Sequence, residues 1–222
     1  MAESNKDKPE FPRLLVCEGP EDKFFFERLI NIRNLPRYHI WHSGVRRGQR
    51  GGNTKFAEAI RLFQFERPKT FRSLNRIVIA ADNDETPEES FINVCNQIDE
   101  FFGVNSAPKN PLEPTKTKPP VTVLMIPRPG KKGHLESLCN DVAREQDKRI
   151  ASHVDDFMSL ISAEKWNDES RFGKAWLRVD LAARCKNDPF VPLGVVFTER
   201  RHDELIPLHK HVSFNEIAKV IS

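Results

Sequence analysis

This chain has little of what usually identifies a small protein at first reading. It has one Tyr against sixteen Phe, so its aromatic content is apolar and belongs mainly in a core. Its four cysteines, Cys17, Cys95, Cys139 and Cys185, lie far apart with no paired spacing. That excludes a Cys-based zinc module and a compact disulfide framework, and leaves reduced, mostly buried thiols of a cytoplasmic protein as the expectation. No apolar run approaches the roughly 18 residues of a membrane span, so no membrane partner is expected. Residues 1–10 are polar and charged, unlike a secretory signal, and read as a flexible tail. Internal repeats are absent. Six of the histidines (His39, His42, His134, His202, His209 and His211) follow no zinc spacing and read as packing or surface residues, with His134 the one beside a candidate site. The net charge of +3 permits nucleic-acid binding without arguing for it.

What is present is an alternation of strands and helices. Arg13–Cys17 is a short apolar strand running into Glu18-Gly19-Pro20-Glu21-Asp22. Proline followed by acids suits a helix start, and Phe25, Phe26, Leu29 and Ile30 continue at helical steps. Residues 38–42 form a second strand candidate, followed by a glycine-rich basic loop with Arg46, Arg47 and Arg50. A helix starting near Asn53 or Thr54 carries Phe56, Ile60 and Phe63 on one face. Then comes Ile77-Val78-Ile79-Ala80-Ala81, a run suited to a strand covered on both faces, ending in Asp82-Asn83-Asp84. The next helix carries Phe91, Val94, Ile98 and Phe102 and stops at Gly103. Residues 105–120 are rich in Pro, Lys and Thr and read as a loop insertion that can be mobile. Val121–Ile126 is a fourth strand feeding a loop with Arg128, Lys131 and Lys132, then a helix with Leu135 and Glu136. Residues 150–161, 172–185 and 214–221 read as helices, and 193–197 as a late strand. Glu199-Arg200-Arg201 reads as an ion-paired turn.

The fold class is therefore α/β: a mostly parallel, Rossmann-like sheet flanked by helices over 11–146, with a mainly helical C-terminal extension over 147–222 packed on it. In such sheets ligands bind at the carboxyl ends of the strands. Glu18 with Asp22, Asp82 with Asp84, and Glu136 all fall just after strands or at a helix start. They converge if their strands are neighbours, and an all-oxygen set suits a hard cation.

In this order the motifs resemble the Toprim domain of topoisomerases, primases and related nucleases. The carriers are Leu14-Leu15-Val16-Cys17-Glu18-Gly19, then Gly44 after the second strand, then Asp82-Asn83-Asp84. Gly133-His134-Leu135-Glu136 resembles the Leu-Glu motif of OLD nucleases and small stand-alone Toprim-like proteins. The resemblance covers residues 12–145. It implies a Toprim-like fold and a Mg²⁺- or Mn²⁺-dependent nuclease, or related phosphotransfer, acting on DNA or RNA. Glu18 would be metal ligand or general acid/base, Asp82 and Asp84 would hold metal, and Asp22 and Glu136 would complete a second metal site. The chain lacks the ATPase domain of OLD nucleases and a topoisomerase tyrosine domain, which points to a stand-alone protein or a subunit with a protein partner or a second copy.

Arg46, Arg47, Arg50, Arg128, Lys131 and Lys132 are candidate phosphate contacts, because their loops open at the same sheet edge as the acids. Two other readings stay open. One is a non-catalytic Toprim-like binding or regulatory subunit, as in a bacterial phage-defence or toxin system. The other is a haloacid-dehalogenase-like phosphatase with Asp82 as nucleophile in Asp82-Asn83-Asp84-Glu85-Thr86, and Asp155-Asp156 as its later acidic motif.

Overall fold

The computed structural model describes residues 11–44, 55–166 and 169–222. Arg46, Arg47 and Arg50, the tail at 1–10 and the expected helix start at Asn53 or Thr54 lie outside the described residues. The elements run β1 (Arg13–Cys17), α1 (Pro20–Ile32), β2 (His39–His42), α2 (Phe56–Glu66), α3 (Pro68–Ser73), β3 (Arg76–Asp82), α4 (Pro87–Phe102), β4 (Val121–Ile126) and α5 (Leu135–Gln146). The helices α6 (Lys148–Leu160), α7 (Glu169–Arg184), α8 (Leu193–Thr198) and α9 (Asn215–Val220) follow. Pro20, Pro68 and Pro87 each sit in the first turn of their helix, where the missing N–H costs nothing.

The sheet is parallel throughout, in the order β2-β1-β3-β4. The chain is an α/β protein with a four-stranded parallel sheet flanked by helices, consistent with a Rossmann-like fold. The sheet has two buried faces because its strands alternate between two cores. Leu14, Val16, Ile77, Ile79, Val121 and Val123 face α2 and α4, against Phe56, Ile60, Phe63 and Val94. Leu15, Cys17, Val78, Ala80, Leu124 and Ile126 face the other way, against Phe25, Phe26, Leu138 and Leu177. Each fully buried Leu, Ile or Phe contributes about 1.5–3 kcal/mol.

The order β2-β1-β3 places the reversal of winding between β1 and β3. From β1 the chain moves outward to β2, then crosses back over β1 to β3 and continues to β4. A crevice opens at such a switch point, at the carboxyl ends of the two strands. Glu18 follows β1 and Asp82 ends β3.

Three features differ from the sequence expectation. Residues 193–197 form helix α8 instead of a strand. Val195-Val196 favours a strand locally, but Leu193, Val196 and Phe197 at helical spacing all bury, and Phe197 packs edge-on to Phe25 at 5.4 Å. Tertiary packing overrides the β-branched pair. Gly194 lets α8 approach, since a Cβ there would stand 3.2 Å from the Phe24 ring. Short α3 is an additional helix between α2 and β3, absent from the sequence expectation. The insertion at 105–120 is fastened instead of loose: Leu112 N–H donates to Val123 O and Thr115 N–H to Val121 O, both at 2.8 Å. This covers the outer edge of β4, which would otherwise offer unpaired backbone groups.

The helices after residue 147 close over the α1 side of the sheet. Arg28 makes a forked ion pair with Asp203, its Nε 3.0 Å from Oδ1. Arg33 donates to Leu208 O at 2.6 Å and to Asn215 Oδ1 at 2.8 Å. Arg201 pairs with Glu199, as the ion-paired turn required. All four cysteines are free. Among the described residues no helix is long and apolar enough to cross a membrane.

Candidate functional site

At the switch point, Glu18 Oε1 accepts a hydrogen bond from the Asp82 backbone N–H at 2.9 Å. This contact joins the end of β1 to the end of β3 through a side chain. β2 is tied to the same point: Ser43 N–H donates to Cys17 O at 2.8 Å, and Ser43 Oγ donates to Glu18 O at 3.0 Å. Asp22, in the first turn of α1, accepts from Gly19 N–H at 2.7 Å, which holds its carboxylate back towards β1. Glu136 lies in the first turn of α5.

Glu18, Asp22, Asp82 and Glu136 line one recess of about 310 Å³, together with Glu21, Leu135 and Lys174. Of the five acids singled out from the sequence, these four meet. Asp84 is exposed and does not line the recess, although its charge acts on Glu18 and Asp82. Lys174 on α7 is the one cation among the described residues of the lining, with its Nζ 3.7 Å from Glu136 Oε1.

The electrostatics follow from crowding acids in a poorly solvated place. Burial pushes Glu18 up to about 7, aided by the charges of Asp22 and Asp84 and opposed by the Asp82 N–H and Lys174. Burial likewise lifts Asp22 to about 6, with Glu136 and Glu21 adding repulsion. Asp82 is raised well above the usual carboxylate range by burial and then by Glu18, Asp22, Glu136 and Asp84. Burial raises Asp84 more gently, against the pull of His134 and Lys174. His134, buried at the start of α5, is lowered by desolvation, with Glu136 pulling the other way. Its Nε2 has no hydrogen-bond partner among the described residues and stands 3.7 Å from Glu136 Oε2.

Asn83, between the two aspartates, is a latch. It is fully buried, and its Nδ2 donates to Arg128 O at 2.7 Å and Lys131 O at 2.6 Å. Backbone pairing between Asp84 and Gly133 completes the join, with N–H···O distances of 3.0 and 2.8 Å. Gly133 has φ +122°, and a Cβ there would meet Ser137 Oγ at 2.6 Å, so no other residue fits. The loop after β4 is thereby held beside the loop after β3. Asn83→Ala removes the donor shared by the part-buried carbonyls of Arg128 and Lys131; a loss of about 1–3 kcal/mol is expected, read as a lower urea midpoint at unchanged m.

That join sets Arg128, Lys131 and Lys132 on the flank of the acidic site. Arg128 is exposed, Lys131 is ion-paired with Asp141, and Lys132 stands 3.8 Å from Glu85. Phosphate binding by either lysine would compete with those pairs. Asp155 is far from this chemistry in role: it accepts from Arg144 Nη1 and Nη2 at 2.6 and 2.7 Å and from Trp176 Nε1 at 2.8 Å, a structural knot on α6.

Sequence reasoning passed over Glu21 and Lys174. Glu21 lies within Glu18-Gly19-Pro20-Glu21-Asp22, where Glu18-Gly19 carries the resemblance. Lys174 belongs to no motif, and only the packing of α7 beside α5 brings it in.

Residues 12–213 match the model of a family described as a protein of unknown function, DUF3226. The chain belongs to DUF3226. The match spans β1 to α8, so the family unit includes both the sheet and α7 with Lys174. No curated protein and no solved structure matches this DUF3226 chain.

Among the described residues no three His, Cys, Asp or Glu side chains stand together as a ready-made metal cage. The donor chemistry of the recess nevertheless fits a hard divalent cation. Its side-chain oxygens are all carboxylate, crowded and under-compensated by one lysine.

Proposed function

We propose that this chain is a divalent-metal-dependent enzyme that cleaves, or otherwise transfers, nucleic-acid phosphodiesters, with a Toprim-like acidic site. The observation that carries this reading is the contact of Glu18 with the Asp82 backbone at the switch point, with Asp22 and Glu136 lining the same recess. Glu18, Asp22, Asp82 and Glu136 would hold Mg²⁺ or Mn²⁺, with Asp84 adding charge from the rim. Such a cation supplies charge neutralisation at the phosphodiester and a more acidic bound water.

The chain's own residues have separable tasks. Asp82 and Asp22 supply negative oxygens fixed by β3 and by the start of α1. Glu18, pushed up to about 7 in the metal-free recess, gives up its proton when it takes a cation, so metal binding there is tied to pH near neutrality. Lys174 offers a cation to a non-bridging phosphate oxygen beside the acids. The Asn83 latch and Gly133 keep the loops after β3 and β4 in register, so that Arg128 faces the nucleic-acid backbone from the flank.

The test is incubation of purified protein with single- and double-stranded DNA and RNA, with Mg²⁺ or Mn²⁺, beside Glu18→Ala and Asp82→Ala. Cleavage by the wild type and its loss in both variants is expected. Cleavage that survives in both would put the activity elsewhere. Metal binding without cleavage would turn the reading to a regulatory subunit. Turnover of small phosphoesters that needs Asp82 but not Glu18 would turn it to a phosphatase.

A further inference from the structure

A second cavity, of about 490 Å³, adjoins the acidic recess and shares Glu21, Glu136 and Lys174 with it. Its character is different. Leu177, Leu181, Val191 and Leu193 are buried apolar residues of its wall. Phe190 belongs to the same lining yet is 89% exposed, in the connection between α7 and α8. Other large apolar side chains are exposed too, Phe65 among them, so exposure alone decides nothing. What distinguishes Phe190 is its place at the mouth of an apolar cavity beside the acids.

Helix α7 organises this surface. Lys174 and Arg178 are four residues apart and share one face, while Leu177 and Leu181 form a parallel apolar row beside them. A cationic row beside an apolar row with an aromatic ring at its rim matches the chemistry of an unstacked nucleotide. The base is flat, neutral and aromatic, and its phosphate is anionic. Glu21 and Glu136, on the side shared with the acidic recess, would repel a phosphate not met by a cation but not a neutral base. The polarity therefore sets the base against Phe190 and the apolar wall, and the phosphate towards Lys174 and Arg178. Lys174 then stands between the two cavities, as a cation would on the phosphate linking a bound base to the bond at the acids.

We infer that the apolar cavity beside the acidic recess seats one unpaired nucleobase, stacked on Phe190, so that the substrate is single-stranded nucleic acid. The inference deepens the proposed function and rests on it. Its size suits such a ligand, since small-molecule cavities run from about 300 to 1,000 Å³. A base within a duplex keeps both faces covered and is not available for this contact without extrusion.

The experiment is fluorescence titration of the full chain, in EDTA to prevent cleavage, with a single-stranded 12-mer carrying one 2-aminopurine and with its duplex. Single strand is expected to bind more tightly than duplex, with 2-aminopurine emission changing on binding. Phe190→Ala should weaken single-strand binding about tenfold and leave duplex binding unchanged, and Phe190→Trp should retain single-strand affinity. Because Phe190 faces solvent, neither variant threatens the fold. Equal single-strand affinity of wild type and Phe190→Ala overturns the inference, as does equal affinity for duplex or no binding of the single strand. The two readings fail separately. Phe190-dependent single-strand binding by a wild type that cuts nothing with Mg²⁺ or Mn²⁺ sinks the enzyme and leaves the base seat standing. Cutting that is indifferent to Phe190 in affinity and rate does the reverse.

Discussion

Asp82→Asn is expected to abolish metal-dependent cleavage and, at the same time, to make the metal-free protein more stable. The loss should reach about 10²–10³-fold or more, the scale of removing one electrostatic element of an active site. The gain follows from the same carboxylate. Asp82 is held well above its ordinary range by burial and by Glu18, Asp22, Glu136 and Asp84, so its charge works against the fold at neutral pH. Asparagine keeps the size and removes the charge. The backbone N–H that Glu18 uses is untouched, because it belongs to the main chain. A gain of about 1–2 kcal/mol is within the range of relieving such strain. For a chain of this length that is about 2–8 °C in thermal midpoint. Differential scanning calorimetry in EDTA at pH 8 beside a cleavage assay reads both effects. A variant that loses activity and also melts lower would mean that Asp82 is structural.

The second large effect is a pH-dependent response to metal. Well below about pH 4.5, Glu18 carries its proton both folded and unfolded, and its ionisation costs the fold nothing. As the pH rises towards 7, the unfolded chain releases this proton while the folded one retains it, so stability falls across that window. Asp22, raised to about 6, adds to the fall in the same direction. A divalent cation binds the ionised carboxylates and reverses the loss, so its stabilisation should grow with pH through the same window. At a metal concentration 100 times the dissociation constant the gain is about 2.7 kcal/mol, or about 5–10 °C. Thermal melts with and without Mn²⁺ at pH 5, 6, 7 and 8 give the profile, and Glu18→Gln should flatten it. A metal effect that is constant with pH would place the binding carboxylates outside the recess.

How much of this was legible in the sequence depends on what each residue had to say locally. β1, β3 and β4 are buried on both faces, so Leu14–Cys17, Ile77–Ala81 and Val121–Ile126 read as continuous apolar runs and were placed closely. The acids at their carboxyl ends were legible for the same reason: a charge directly after such a run has to sit at the strand's exit. Strand order was not legible, because no residue in β1 names β3 as its neighbour, yet that order is what creates the crevice. Val195-Val196 misled towards a strand because its helical conformation is imposed by Phe25 and Phe24 across the core. Residues 105–120 looked loose by composition, although Leu112 and Thr115 spend their backbone groups on the β4 edge. Lys174 was invisible, since a lysine on an amphipathic helix gives no sign of which acid it will meet. The expected roles of Arg46, Arg47 and Arg50 fall outside the described residues and remain tied to the sequence alone.

The central claim is that the carboxylates at the β1–β3 switch point form a divalent-cation site. Titration of Mn²⁺ into metal-free protein at pH 8, with free Mn²⁺ followed by its paramagnetic resonance signal, tests this most directly. The account predicts saturable depletion of free ion by the wild type, and strongly weakened depletion by Asp82→Asn and Glu18→Gln in correctly folded protein. Depletion that is identical in all three proteins, or absent from the wild type, would contradict it.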